Sequence, residues 1–271
     1  MASQITFYEK NKIDLDNPNV LMTVADSVAT STGESFISYV RNRKNSSAWI
    51  TTGSSDAGTT TIDINMGSSF AIDTIMLIGN NWKSYTITYF DGATYSAFPT
   101  AISETTNTAE NNRHQFASTS CQLIKIIINE TQVADADKIL KQLIITEELG
   151  QLDGWPMIKK PTHSTNKRRS KMLSGKTNLV ESVGAFSCEL SVENWKSDSD
   201  LIIIENIYSS FDGVLVQLNG FDEDQFSSKR IGYRNQDCYL MKPSDSYTPE
   251  WASGLYTTGL KIKIKLEEVI R

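Results

Sequence analysis

The chain has 271 residues, 39% of them hydrophobic and 21% charged, a composition that suits folded globular domains and excludes a disordered or collagen-like chain. Its apolar runs, such as Ile75-Met76-Leu77-Ile78 and Leu201-Ile202-Ile203-Ile204, fall far short of the roughly 20 residues that a membrane-spanning helix needs. The formal net charge of −6 is uneven, with 10 basic and 16 acidic residues in the first 150 and 16 of each in the rest. The length suits two domains, each able to bury a core. The opening Met-Ala-Ser-Gln-Ile-Thr-Phe-Tyr-Glu-Lys has no basic segment followed by an apolar one, so synthesis in the host cytoplasm without a secretory leader is expected. Cys121, Cys188 and Cys238 form an odd set without C-x-x-C spacing, which reads as reduced thiols serving as small core hydrophobes.

Residues 1–150 alternate short β-branched runs with Ser, Thr, Asn and Gly clusters, the pattern of an antiparallel sandwich. Thr60 to Met66 alternates at period two and stops at Gly67, Ile72 to Gly79 is nearly all apolar, and Tyr85 to Phe90 alternates into an Asp91-Gly92 turn. Two further strands are expected at Cys121 to Ile128 and Ile139 to Thr146.

Residues 151–184 lose this pattern. They hold Trp155-Pro156, Pro161 and the cations Lys159, Lys160, Lys167, Arg168, Arg169, Lys171 and Lys176, with no acid between Asp153 and Glu181. Such a stretch reads as a linker and long loop at a domain junction.

The region 185–271 opens with a strand from Ala185 to Val192. Ser197-Asp198-Ser199-Asp200 has capping-box spacing, and Leu201, Ile204, Ile207, Tyr208 and Phe211 follow at helical spacing, so a helix over about 198–211 is predicted. Further strands are predicted at Val214 to Leu218, Lys229 to Tyr233, Asp237 to Met241 and Leu255 to Leu266. In the last, Leu260, Ile262, Ile264 and Leu266 alternate with Lys261, Lys263 and Lys265, giving an apolar and a cationic face. That alternation suits an edge strand guarded by lysines or a face turned to an acidic neighbour. The chain is thus expected to be mainly β, with an N-terminal sandwich over 1–150 and a C-terminal β-rich (α+β) barrel-like domain with one helix.

The order of motifs over about residues 15–150 resembles the discoidin or galactose-binding-like jelly roll. It runs Ser46-Ser47-Ala48-Trp49, then Thr61 to Gly67, Ile72 to Asn80, Tyr85 to Gly92, Leu123 to Ile128 and Lys141 to Ile145. The resemblance implies an eight-stranded sandwich whose loops at one end bind glycan, lipid or protein. The paired cysteines of many extracellular members are absent, since Cys121 is alone in this half, which points to a bacterial or viral version. More loosely, the second half is similar to β-rich ring or hub domains of bacteriophage tails, on Gly184 to Ser187, the predicted helix, and Tyr233 to Tyr256 running into a long strand. Distal-tail proteins place the ring domain first and the jelly roll second, the reverse of the order here.

Catalytic signatures are weak. Gly175-Lys176-Thr177 ends like a phosphate-binding loop, but the first glycine of that motif falls on Ser170, and no buried strand precedes it. His114 and His163 are the two histidines, too few and too far apart in sequence for a triad or a His-rich metal site. No enzyme, cofactor or metal is expected. The cationic stretch has no aromatic residue for base stacking, so sequence-specific nucleic acid is not an expected partner. It reads as a solvated loop or as a subunit-docking segment for an acidic neighbour.

Sugar recognition needs an aromatic platform beside amide and guanidinium groups, which makes Asn80, Asn81, Trp82, Arg113 and His114, with Asn111 and Asn112, the glycan-binding candidates. Trp49 reads as core. The leading expectation is a structural component of a phage or phage-like tail in the virion, built into a ring-like homo-oligomer beside tube, hub or baseplate proteins, with the jelly roll projecting outward. The alternative is a carbohydrate-binding module for a surface glycan.

Overall fold

The computed structural model describes residues 5–42, 47–151, 157–171, 177–195, 198–210, 212–217, 238–244, 250–254 and 257–269. The chain is mainly β and divides into two compact units, one of residues 10–148 and one of residues 1–9 with 149–271.

The unit of residues 10–148 is a jelly-roll sandwich. Its strands β2 (Leu21–Asp26), β4 (Thr60–Ile78), β7 (Asn111–Thr131), β5 (Trp82–Phe90) and β6 (Tyr95–Glu104) lie side by side in that order, and β9 (Gln142–Thr146) adds to β4. A two-stranded ribbon of β3 (Trp49–Ile50) and β8 (Ile139–Leu140) and a 3-10 helix, Glu34–Arg41, complete it. The two apolar runs expected as separate strands at Thr60 and Ile72 are one strand. β4 crosses a bulge between Asn65 and Phe70, where Gly67 has φ +82° and a Cβ would lie 2.5 Å from that of Asn19, so only glycine lets the strand bend there. Before the bulge Ile62, Ile64 and Met66 are buried alternately, and from Thr74 to Ile78 every residue is buried. β7 likewise begins ten residues before the expected Cys121, because its first half, Asn111 to Ser120, is polar and carries no period-two apolar signal. One core joins Trp49, Ile62, Ile64, Trp82, Tyr85 and Ile126 across the sandwich.

The second unit is built on an eight-stranded sheet. Its order is β10 (Glu148–Gln151), β1 (Thr6–Tyr8), β13 (Val214–Gln217), β14 (Cys238–Pro243), β16 (Thr257–Glu268), β12 (Thr177–Trp195) and β11 (Met157–Lys171), with β15 (Glu250–Gly254) on β16. Two expectations are corrected. The first domain does not include the N-terminus, since Thr6, Phe7 and Tyr8 pair antiparallel with Gln217, Val216 and Leu215, and burying Ile5 and Phe7 is what draws the segment there. Nor is 151–184 a linker and loop, because β11 and β12 form a long antiparallel hairpin running from Met157↔Ser191 to Lys171↔Thr177. The strand was illegible because β11 has apolar residues only at its start, Met157 and Ile158.

The helix α1 (Asp198–Ser209) forms as expected, with Ile203, Ile204 and Ile207 buried against Leu190, Val214, Val216 and Ile264. Ser197 and Phe211 lie outside the described residues, as do the expected strand at Lys229 to Tyr233 and half of Tyr233 to Tyr256. In β16, Ile264 and Leu266 are buried while Lys263 and Lys265 are exposed. It is not an edge strand, since it runs between β12 and β14 with Lys265 opposite Glu189.

Candidate functional site

Of the predicted glycan group, Asn80 and Trp82 are buried, whereas Asn81, Asn111, Asn112, Arg113 and His114 are half-buried. Trp82 is fully buried, its ring 5.7 Å from that of Tyr85 at 69°. It therefore serves as core and offers no platform, which corrects the expectation. Asn80 is buried and donates to the Glu110 carbonyl at 2.7 Å and to Asn112 Oδ1 at 2.9 Å, while its own Oδ1 accepts from the Trp82 N–H at 3.1 Å. Asn81 donates to the Asp137 carbonyl at 2.8 Å and accepts from the Ile139 N–H at 2.9 Å. These amides hold the β4–β5 turn to neighbouring loops, so their hydrogen-bonding groups are committed to backbone.

Asn111 accepts the Gly79 N–H at 2.9 Å and Asn112 is held by Asn107 at 2.9 Å. His114 is partly buried with Nε2 2.9 Å from the Tyr85 hydroxyl, and burial lowers its pKa to about 4. Arg113 lies opposite Met76 on β4, and its charge partly offsets the rise that burial imposes on the Glu148 carboxyl. Trp82, Tyr85 and His114 therefore do come together, as a row of edge-to-face rings running from the core to half-buried His114.

A second interior network closes the loops nearby. The Lys138 side chain is fully buried, and its ammonium donates to Ser54 Oγ at 2.8 Å and to the carbonyls of Ser55 and Gly58 at 3.0 and 3.2 Å. The Asp26 carboxylate lies 3.9 Å away. Burial pushes its pKa up, but hydrogen bonds from Thr60, Ala29, Val28 and Ser54 outweigh that and hold it at about 2. Asp56 in turn accepts from the backbone of Thr131 and Asp135. These loops satisfy one another.

An exposed aromatic pair lies elsewhere on the unit. Phe36 and Tyr39 are 51% and 38% exposed, with ring centroids 5.5 Å apart, one 3-10 turn from each other. Ile37 and Val40 anchor the same helix in the core. Arg41 fixes its end by donating to the carbonyls of Ile13, Asp14 and Asn17. Its start is fixed by Gly33, whose φ of +63° lets the backbone approach the Ile50 carbonyl where a Cβ would sit 2.2 Å away. Exposed Glu34 and Ser35 flank the rings. The result is a rigid shelf of two rings beside polar groups, and rigid aromatic area binds at low entropic cost. Sequence reasoning passed over it, although Phe36 and Tyr39 against Ile37 and Val40 is a period-three signal.

The docking cations Lys159, Lys160, Lys167, Arg168, Arg169 and Lys171 all lie on β11, where Lys159 is opposite Glu189 and Lys167 opposite Glu181. Lys176 lies outside the described residues. Among the described residues, no group of three or more His, Cys, Asp or Glu is placed to hold a metal ion. Cys121 and Cys188 are buried, with thiol pKa values raised to about 11 and 12 by burial, which keeps them protonated and poorly nucleophilic.

Fold and site together define a two-unit β protein in which a jelly roll is joined to an eight-stranded sheet carrying one helix. No family model matches the chain, and no curated protein matches it. Solved structures similar to it include a chitosan-binding module 1 derived from a chitosanase/glucanase of Paenibacillus sp. IK-5, at 17% identity over 51% of this chain and 98% of that one, TM-score 0.40. Chitosan-binding module 2 from the same source, in complex with chitotriose, has 20% identity over 45% and 94%, TM-score 0.36. CpGH89CBM32-5 from Clostridium perfringens, in complex with GalNAc-β-1,3-galactose, has 17% identity over 46% and 94%, TM-score 0.36.

Proposed function

We propose that this chain is a non-enzymatic binding protein whose jelly roll recognises a glycan on the Phe36–Tyr39 shelf. The observation that carries the reading is that pair of adjacent exposed rings on a helix fixed at both ends. Two adjacent rings tilted by 39° give the apolar face of a pyranose an angled surface to lie against, while Glu34, Ser35 and the Tyr39 hydroxyl supply polar contacts at its rim. Such a site needs neither metal nor catalytic acid. The test is a screen of the whole chain against immobilised glycans that include chitosan oligosaccharides and galactose-terminated chains. Saturable binding to a glycan class supports the reading, and an absence of binding across the screen removes it.

The second reading is a structural component of a phage or phage-like tail, with the virion as its location and ring partners as its neighbours. One observation favours it. The eight-stranded sheet ends on β11, a strand of 15 residues that among the described residues has β12 on one side and no strand on the other. A long open strand is a site for strand addition by another chain. Sedimentation of the chain with particles from lysed source cells, in high salt, tests this reading.

A further inference from the structure

The main sheet of the jelly roll has two unlike edges. On one lies β6, which has β5 on one side and, among the described residues, no strand on the other. It carries Pro99, and its pairing with β5 breaks register between Ile87 and Thr88. Proline and irregular register keep an edge from pairing further. On the other edge lies β2, Leu-Met-Thr-Val-Ala-Asp, which has neither device. Its six residues run in unbroken register with Thr60 to Asn65 of β4, and its far side has no strand among the described residues.

Along β2 the side chains alternate. Met22 and Val24 turn to the core, whereas Leu21, Thr23 and Ala25 are exposed, Leu21 by 65%. No charge precedes Asp26, whose carboxylate is held by Ser54 and Thr60. The strand lies on the first half of β4, across the Gly67 bulge from the half that pairs with β9.

We propose that β2 pairs antiparallel with β2 of a second copy, across a two-fold axis at Thr23. Each face of one sheet must continue into the same face of the other, which limits the register to steps of two. A centre at Thr23 satisfies this with the residues of β2 alone, setting Leu21 against the partner's Ala25 and Met22 against the partner's Val24. A centre at Val24 would put Asp26 opposite Met22 in the apolar row, and one at Met22 would run past the start of the strand. The row is therefore its own complement, large against small, with no like charges opposed. The nearest charges on the exposed face, Asp63 of each copy, stand three strand spacings or about 14 Å apart, beyond the screening length of about 8 Å, and each has its own Lys125 at 3.4 Å. Such a contact uses the same patch twice and closes as a dimer. Five residue pairs make a smaller contact than the roughly 1,200 Å² of a standard interface, so the dimer forms as concentration rises.

The 3-10 helix that carries Phe36 and Tyr39 packs beside β2 and shares its core. The two-fold axis stands perpendicular to the joined sheet and keeps both helices on one side of it. On the shelf reading above, the dimer is then a bivalent binder for one glycan-bearing surface.

The experiment is light-scattering or sedimentation-equilibrium mass on the full chain, with Leu21→Lys/Ala25→Lys and Leu21→Glu/Ala25→Glu, alone and mixed. Wild type is expected to reach twice the chain's mass as concentration rises. Each variant alone is expected to be a monomer, folded by circular dichroism, because like charges then face one another at both ends of the ladder. A one-to-one mixture is expected to dimerise again, since each lysine then meets a glutamate, and misfolded chains could not give that rescue. A wild type that is monomeric at every concentration would overturn the second copy as the occupant of this edge. A wild-type dimer that both variants leave unchanged, or a mixture that stays monomeric, would overturn the contact itself. Mass alone decides the contact, so a dimer with this behaviour that binds no glycan upholds it while removing the shelf reading.

Discussion

The Tyr85 hydroxyl lies 2.9 Å from Nε2 of His114, with the two rings crossed at 71°. The pair joins the buried Trp82 to the rim of the sheet and keeps an imidazole where its charged form is poorly solvated. Burial lowers the His114 pKa from 6.5 to about 4. The unfolded chain therefore binds the proton first as pH falls, and stability is lost between about pH 6.5 and pH 4, by up to about 3 kcal/mol. Urea unfolding of wild type and His114→Gln at pH 7 and pH 4.5 checks this. The variant should lose clearly less stability across that interval, and equal losses would assign the pH response to other groups.

Trp82→Ala should cost about 4 kcal/mol, the usual scale for truncating a fully buried aromatic. Trp82→Phe should cost much less, since Trp82 Nε1 has no hydrogen-bond partner among the described residues. Denaturant midpoints for the two variants decide the matter. A surface role would leave both close to wild type.

Lys138→Met leaves the Ser55 and Gly58 carbonyls without their donor and the Asp26 carboxylate without its nearby cation. Removing one partner from a buried charged network typically costs about 3 kcal/mol or more. Thermal unfolding should show the loss, and a variant as stable as wild type would contradict the network's role in holding these loops.

Gly67→Ala places a Cβ 2.5 Å from that of Asn19 at a φ of +82°. We expect a loss of about 1–3 kcal/mol with the fold retained, read from the shift in urea midpoint. Gly92 has φ +106° with open space around it, so Gly92→Ala carries backbone strain without the clash and should cost less.

What the sequence made legible follows burial. Period-two alternation marked Thr60 to Met66 and Tyr85 to Phe90, because each has one face in a core and one outside, and Lys263 to Leu266 show the same division in β16. The order of motifs marked the jelly roll. β11 and the first half of β7 were missed because their sequences carry no alternating apolar residues, and the hydrogen-bonded register that pairs them leaves little trace in composition. Trp82 and its asparagines were misassigned because a tryptophan preceded by two amides reads alike whether the group faces solvent or joins loops inside. Only the pairing of Asn80 with Glu110 and of Asn81 with Asp137, across 30 and 56 residues, separates the two. The Phe36–Tyr39 shelf needed the 3-10 helix, whose three-residue period was not sought.

If Phe36 and Tyr39 bind glycan, removing their rings must weaken binding and leave the core around Trp82 and Tyr85 intact. The direct measurement is a titration of the strongest glycan found by screening, against wild type and Phe36→Ala/Tyr39→Ala, beside thermal unfolding of both. Truncating exposed rings should change stability by no more than about 0.5 kcal/mol. The affinity is expected to be at least about tenfold weaker in the variant at an unchanged melting temperature. Equal affinity in the two proteins would contradict it and place any glycan site elsewhere on the jelly roll.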